Sequence, residues 1–389
     1  MRSLIFIFTF LLVSTYLFAQ NTIRDINFSY RYTPNYEIEV TQKAYKKPDF
    51  VQLDLKLLIN KAGATKDDYT FSYYTTTSVQ AEFKAVPLIH VDTINHVEIK
   101  GGHMLHLSFP KEIDGEIIVT EILSRISGKS YFYYSRPAAD VSYSNLLANN
   151  SLNDWLANGI YNISASNTLY AYYYDQDFPI ARPPMPVSTD TPEMTMTYKS
   201  VDKIDTNQLV LGEKGLYLIQ KDTTSSTGLS FRVEDKYYPK LVRLEDLITP
   251  LRYITTKEEY ESLSRVDGDK KKFDAFWLRL TNSKDRAKLI IKKFYDRVES
   301  ANYFFTSYKE GWKTDMGMIY IIYGAPDAVE VADDGETWIY NASPQLPKLE
   351  YKFLNADNIF SDKNFVLIRE KKHAANWYRA IDLWRKGRF

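Results

Sequence analysis

The chain has 389 residues, 49 basic and 49 acidic side chains, a formal net charge of zero, and no cysteine. The even charge balance gives no general attraction to nucleic acid or anionic lipid, and the missing cysteine excludes disulfides, thiol catalysis and cysteine-ligated zinc. Stability must come from cores that need no staples, and the length suits two or three domains.

The first nineteen residues read as a secretory signal. Arg2 precedes an apolar run from Leu4 to Val13 that resumes at Tyr16 to Phe18, and Ala19 stands before Gln20. The run is shorter than the roughly 20 residues that span a bilayer. Cleavage is expected after Ala19, with no cysteine to carry a lipid anchor, so an exported protein in the periplasm or at the cell surface is expected.

Residues 20–140 form the first expected domain. Glu37-Ile-Glu-Val40 and Gln52-Leu-Asp-Leu-Lys-Leu57 alternate with the two-residue period of half-buried strands. Phe71 to Thr77, His96 to Ile99, Met104 to Phe109, Glu116 to Leu123 and Ser130 to Ser135 continue the series at short spacing. Such a series predicts an antiparallel sandwich of immunoglobulin-like shape, held by packing alone.

Residues 141–240 form a second β-rich region. It opens with a short, helix-compatible stretch around Leu146, Leu147, Trp155 and Leu156. Strands are expected at Thr168 to Tyr174, Met194 to Tyr198, Leu209 to Leu211, Leu216 to Gln220 and Leu229 to Val233. The prolines between Pro179 and Pro192 stiffen a surface segment toward extended geometry, as a connection inside a second small sandwich or as a spacer.

Residues 241–389 change to helical periods and then to strands. Thr256 three residues before Glu259 is a capping box. Phe273, Phe276, Trp277 and Leu280 share one helical face. Ala287, Ile290, Ile291, Phe294, Val298, Ala301 and Phe305 make a longer apolar stripe. Strands are expected at Met318 to Tyr323, Thr337 to Tyr340, Leu349 to Leu354 and Phe365 to Ile368. Asp334-Gly335 reads as a hairpin turn, and Ala374, Trp377, Ile381 and Trp384 as a closing amphipathic helix. The fold class is therefore multidomain, β modules first and an α+β domain last.

The stretch Gly311-Trp-Lys-Thr-Asp315, followed by Met-Gly-Met-Ile-Tyr-Ile-Ile-Tyr-Gly-Ala-Pro-Asp327, narrows the answer most. Gly311 is expected to end a helix in a left-handed conformation, Trp312 to bury its ring, and Thr314 and Asp315 to share hydrogen bonds with nearby backbone amides. Gly324 to Asp327 reads as a tight turn with Pro326 presetting φ and Asp327 bonding its own backbone. The block resembles the signature of the GWxTD-domain family of secreted or periplasmic bacterial proteins, whose role is not established. The resemblance covers roughly Leu241 to Phe389 and is specific at Gly311, Trp312, Thr314, Asp315, Gly317, Tyr320 through Gly324, Pro326 and Asp327. It is looser at Phe276-Trp277 with Arg279, where the family continues into Asp-Pro and this chain has Leu280-Thr281. The family often carries a basic residue after the signature Asp, and that position is Met316 here, which weakens any mechanism that requires a fixed cation beside Asp315.

Chemistry-bearing patterns are otherwise sparse. His103 and His106 point to opposite faces of a strand and cannot share one ion without a bulge. No nucleophile elbow, zinc-protease helix or phosphate loop is present. Asp267-Gly-Asp269 and Asp333-Asp334 lack the ligand count of a calcium loop. No catalytic residue, cofactor or metal is therefore expected. The tyrosine runs Tyr131 to Tyr134 and Tyr170 to Tyr174 must show aromatic surface on both faces of their strands, where they can cover a neighbouring domain, a protein partner or sugar rings. The expectation is a noncatalytic interaction or assembly protein of the cell envelope with a protein partner. The alternatives are a glycan-binding module and a hydrolase built on Asp315, Asp327 and Glu336.

Overall fold

The computed structural model describes residues 22–99, 101–113, 115–138, 152, 154–163, 168–186, 196–204, 207–225, 227–265, 269–281, 283–356 and 358–388. The expected signal at 1–19 and the stretch around Leu146 and Leu147 lie outside these residues. The described chain divides into two compact units, one holding residues up to Tyr30, 35–138 and Glu330–Asp333 and the other holding the remainder. No helix among the described residues is long and apolar enough to cross a membrane.

The first unit is all β. Its strands are β1 (Ile38–Lys46), β2 (Phe50–Ile59), β3 (Tyr69–Thr76), β4 (Lys84–Val86), β5 (Asp92–Ile99), β6 (Gly102–Pro110), β7 (Ile117–Ser124), β8 (Ser130–Ser135) and β9 (Pro137–Ala138). They form two sheets, in the orders β5-β6-β2-β1-β9 and β4-β3-β7-β8. Leu53, Leu55, Leu57, Leu105, Leu107 and Phe109 from one sheet share a buried cluster with Tyr69, Tyr73, Ile118, Ile122, Tyr131 and Tyr133 from the other. Alternation creates this core, because side chains two apart share a face. It mispredicts the other face of β2, where Gln52 and Asp54 are buried instead of solvated. Burial is possible there because Asp54 Oδ1 accepts from Gln52 and lies 2.7 Å from His106 Nδ1.

The second unit opens with β10 (Trp155–Ala157), β11 (Gly159–Asn162), β12 (Leu169–Tyr174), β13 (Ser200–Ile204), β14 (Gln208–Leu211), β15 (Gly215–Gln220) and β16 (Leu229–Glu234). Five of these form the sheet β10-β16-β15-β12-β13, while β11 and β14 pair as a ribbon. Trp155 and Leu156 thus lie on a strand, not a helix, with Leu156 inside the sheet's core. The strand expected at Met194 to Tyr198 falls partly outside the described residues. Met196 to Tyr198 are irregular, and the strand is β13, a few residues later.

Residues Tyr170 to Tyr174 place side chains on both faces of β12, and protein covers both. Ala171 and Tyr173 join one buried cluster with Tyr217 and Phe231. Tyr172 and Tyr174 join another with Phe178, Leu216 and Leu218, packed against Tyr308 and Phe360. This sheet therefore shares a core with the C-terminal region.

That region contains α1 (Leu244–Ile248), α2 (Lys257–Ser264), α3 (Lys270–Thr281), α4 (Lys284–Phe305), α5 (Asp315–Tyr323), β17 (Ala328–Ala332), β18 (Gly335–Tyr340), β19 (Leu349–Asn355), β20 (Phe365–Leu367) and α6 (Ala374–Lys386). The Thr256–Glu259 capping box starts α2. The stripe expected on α4 is buried at Ala287, Ile290, Phe294, Val298, Ala301 and Phe305. The four last strands form a sheet in chain order.

One element is corrected outright. Met318 to Tyr323 is not a strand but the body of α5. The run Met-Ile-Tyr-Ile-Ile-Tyr carries no polar face, and Met316 to Ile322 are buried on every side, so neither helical nor strand periodicity is visible. The hairpin between β17 and β18 turns at Asp333 and Asp334. Gly335 already belongs to β18, where a Cβ would lie 1.9 Å from the Phe353 carbonyl oxygen, so close approach requires this glycine.

Candidate functional site at the Gly311–Asp315 signature

The signature lies between α4 and α5. Gly311, Trp312 and Lys313 form one 3-10 turn, and all three are buried. Gly311 does not adopt the left-handed conformation expected of a helix end. A Cβ there would stand 2.1 Å from the Ala301 carbonyl oxygen and 2.7 Å from Asn302 Cα, so the absent side chain lets the turn press against the backbone of α4. Gly317 performs the same task one turn into α5, where a Cβ would meet the Gly311 carbonyl oxygen at 1.9 Å.

Polar side chains lock this approach. Thr314 is the N-cap of α5: its hydroxyl accepts from the Gly317 N–H at 2.9 Å and donates to the Gly311 carbonyl at 2.7 Å. The Trp312 N–H donates to Asn302 Oδ1 at 3.0 Å, and its carbonyl accepts from the Tyr253 hydroxyl at 2.9 Å. Asn302, fully buried on α4, also donates from Nδ2 to the Pro239 carbonyl.

Asp315 is the first residue of α5, a position that favours a negative charge. Oδ2 accepts from the Leu367 N–H at 2.8 Å and from Arg369 Nη1 at 3.1 Å, while Oδ1 accepts from Arg369 Nη2 at 2.5 Å. The carboxylate thus ties α5 to the end of β20 through a bidentate arginine. A fixed cation does stand beside Asp315, although the next residue in the chain is Met316. It comes from a residue 54 positions away.

The remaining signature residues finish α5 and leave it. Gly324 is its C-cap with φ of 88°, and its carbonyl accepts from the Tyr340 hydroxyl. Arg297 Nη1 donates to the carbonyls of Ile321 and Ile322, and Trp384 Nε1 donates to Ile322 as well. Burial lowers the Arg297 guanidinium to about 10, with Tyr340 and Tyr320 acting in the opposite sense. Pro326 is buried and Asp327 exposed. Asp327 Oδ2 accepts from the Asn341 N–H, fourteen residues on.

The proline-bearing segment crosses the same place. Ala181 N–H donates to the Lys313 carbonyl, Lys309 Nζ to the Pro179 carbonyl, Arg369 Nη2 to the Arg182 carbonyl, and Glu370 N–H to the Pro184 carbonyl. Phe178, Pro184 and Met185 are buried, so this part is not the surface connection expected. Its continuation beyond 186 lies outside the described residues up to Met196.

Buried charges flank the turn. Lys313 Nζ lies 3.1 Å from Glu310 and 2.5 Å from Asp177, and Arg232 reaches Glu234 at 2.7 Å and Glu310 at 3.3 Å. Burial alone would push the Glu310 carboxyl up, but Arg232 and Lys313 outweigh it and hold the group at about 2. Burial brings the Lys309 amine down to about 8.

The three carboxylates considered for hydrolysis occupy separate settings. Asp315 meets Arg369 and Asp327 meets Asn341. Glu336 accepts from the Tyr32 hydroxyl at 2.8 Å and from Trp338 Nε1 at 3.2 Å. His106 pairs with Asp54, away from His103. Among the described residues no group of three or more histidine, aspartate or glutamate side chains could hold one metal ion.

Sequence reasoning missed Asn302, Arg369, Tyr253 and the segment at 177–184. Only Glu310 and Lys313, three apart, offered a local sign. The rest are brought in by tertiary folding over long separations.

Residues 215–386 match the family model of the GWxTD domain. The protein carries a GWxTD domain. The match starts at Gly215 in β15, ahead of Leu241, where the resemblance in the sequence begins. That earlier start agrees with the packing of Leu216 and Leu218 into one cluster with Tyr308 and Phe360. No curated protein matches the chain.

Proposed function

We propose that this GWxTD-domain protein is a noncatalytic, exported component of the bacterial cell envelope that works through a protein partner. The observation that carries the reading is the saturation of Asp315. Both carboxylate oxygens accept hydrogen bonds from within the domain, and Arg369 neutralises the charge. A general base or nucleophile needs a lone pair directed at a substrate. In the signature, the glycines remove steric bulk, Thr314 caps, and Trp312 fills. These are the tasks of a clamp that fixes α4, α5 and β20, leaving recognition to the outer surface.

The reading includes removal of residues 1–19 before export and a first unit of immunoglobulin-like kind that serves as a spacer or docking module. It is tested by crosslinking the full-length tagged protein in its native envelope and identifying what accompanies it. A reproducible envelope protein, retained by a variant with Asp327→Asn, is the expected result. A monomer without protein partners that is retained on polysaccharide would overturn it in favour of glycan binding. N-terminal sequencing of the exported form tests the start at Gln20.

A further inference from the structure

The sequence sets His103 and His106 on opposite faces of β6, and the structure gives each a different partner. His103 faces His96 across the β5–β6 pair, with Nδ1 of His103 3.1 Å from Nε2 of His96. His96 is exposed and His103 half-buried. Without a metal the contact is a hydrogen bond in which one ring nitrogen donates and the other accepts.

The separation also has the bite of a chelate. An ion about 2.05 Å from each of two nitrogens 3.1 Å apart is seen at an N–metal–N angle of roughly 98°. That lies between the square-planar and tetrahedral values of about 90° and 109°. Both rings turn about their Cβ–Cγ bonds, which is the freedom needed to aim both lone pairs at one point beside the contact. Neutral imidazole is the form that ligates. Glu98 is the register partner of His103, which places an acidic residue next to the pair to offset the charge of a cation.

We propose that His96 and His103 form a two-histidine site for a late first-row divalent ion such as Zn²⁺ or Cu²⁺, with solvent completing the coordination. Imidazole nitrogens select these ions over Mg²⁺ or Ca²⁺, which prefer oxygen donors. β5 is the edge strand of its sheet, so the ion would fasten that edge to β6.

Calorimetric titration of the full chain with ZnCl₂, CuCl₂ and MgCl₂ at neutral pH tests this. One Zn²⁺ or Cu²⁺ per chain is expected, with no heat from Mg²⁺, at least tenfold weaker binding in His96→Ala and His103→Ala, and no change in His90→Ala. His96 is exposed on an edge strand, so His96→Ala keeps the fold and decides the matter alone. Absence of Zn²⁺ and Cu²⁺ binding in the wild type, or equal binding in His96→Ala, would overturn the site.

Discussion

The two-sheet core of the first unit and the signature of the second are both tightly packed, yet they reach that state by opposite means. The first core is many interchangeable apolar contacts: leucines from one sheet against isoleucines and tyrosines from the other. Around Gly311 the close approach is backbone to backbone, and the Trp312 and Gly317 N–H groups each have a particular side-chain partner. A core of the first kind tolerates change in proportion to the volume altered. An interlock of the second kind has no graded response, because its fit depends on atoms that cannot move aside.

The most direct way to break the contrast is Gly311→Ala. The new methyl would overlap the Ala301 carbonyl, and no side chain can yield, so a loss of about 5 kcal/mol or more is expected in urea unfolding of the full chain. A cost below about 1 kcal/mol would show that the turn can back away from α4. Trp312→Ala should cost about 3 to 5 kcal/mol, the range for a large aromatic removed from a core. A shift of only a degree or two in Tm, with partner binding lost, would make the ring a recognition surface.

Asp315→Asn keeps the shape and removes the charge that Arg369 needs. A loss of about 2 kcal/mol is expected, since an amide can still accept from Leu367 but leaves the guanidinium without a counter-charge. Unchanged stability with abolished function would assign Asp315 to a ligand.

Acidification sharpens the same point. The folded Glu310 carboxyl sits at about 2, below its ordinary 4.5. Its contribution is therefore fully present above about 4.5 and is lost as pH falls from there toward 2. Glu310→Gln should lower stability at neutral pH and flatten the acid limb of a stability–pH curve over that window. An unaltered limb would separate Glu310 from acid unfolding. The smallest effect belongs to the other core: Ile118→Val should cost about 1 kcal/mol, one methylene from a buried site.

How much could be read beforehand follows from the same contrast. Strands such as β1 and β2 were legible because alternation is a local property, and the stripe on α4 because its period is. The helix α5 was illegible by periodicity, being apolar on every side, although Thr314 before it and Gly324 after it are an ordinary cap and stop. Strand propensity of Ile and Tyr outweighed those two signals. Gly311 was recognised as special, but sequence could not tell a positive φ from a close approach. Arg369 and Asn302 could not be found at all, since nothing local ties them to Asp315 and Trp312.

The partners that complete α5 set a schedule for its formation. Its first carboxylate is answered by Leu367 and Arg369, and one of its last carbonyls by Trp384. A chain that emerges from its amino end therefore holds this apolar segment with an unanswered carboxylate until residues near 369 are free as well. The described strands of the first unit's two large sheets all lie at or before Ala138, so their pairing can begin much earlier. Synthesis halted a few dozen residues short would leave one finished module joined to an open, adhesive one, and a sticky remnant of that kind is what proteolytic quality control removes.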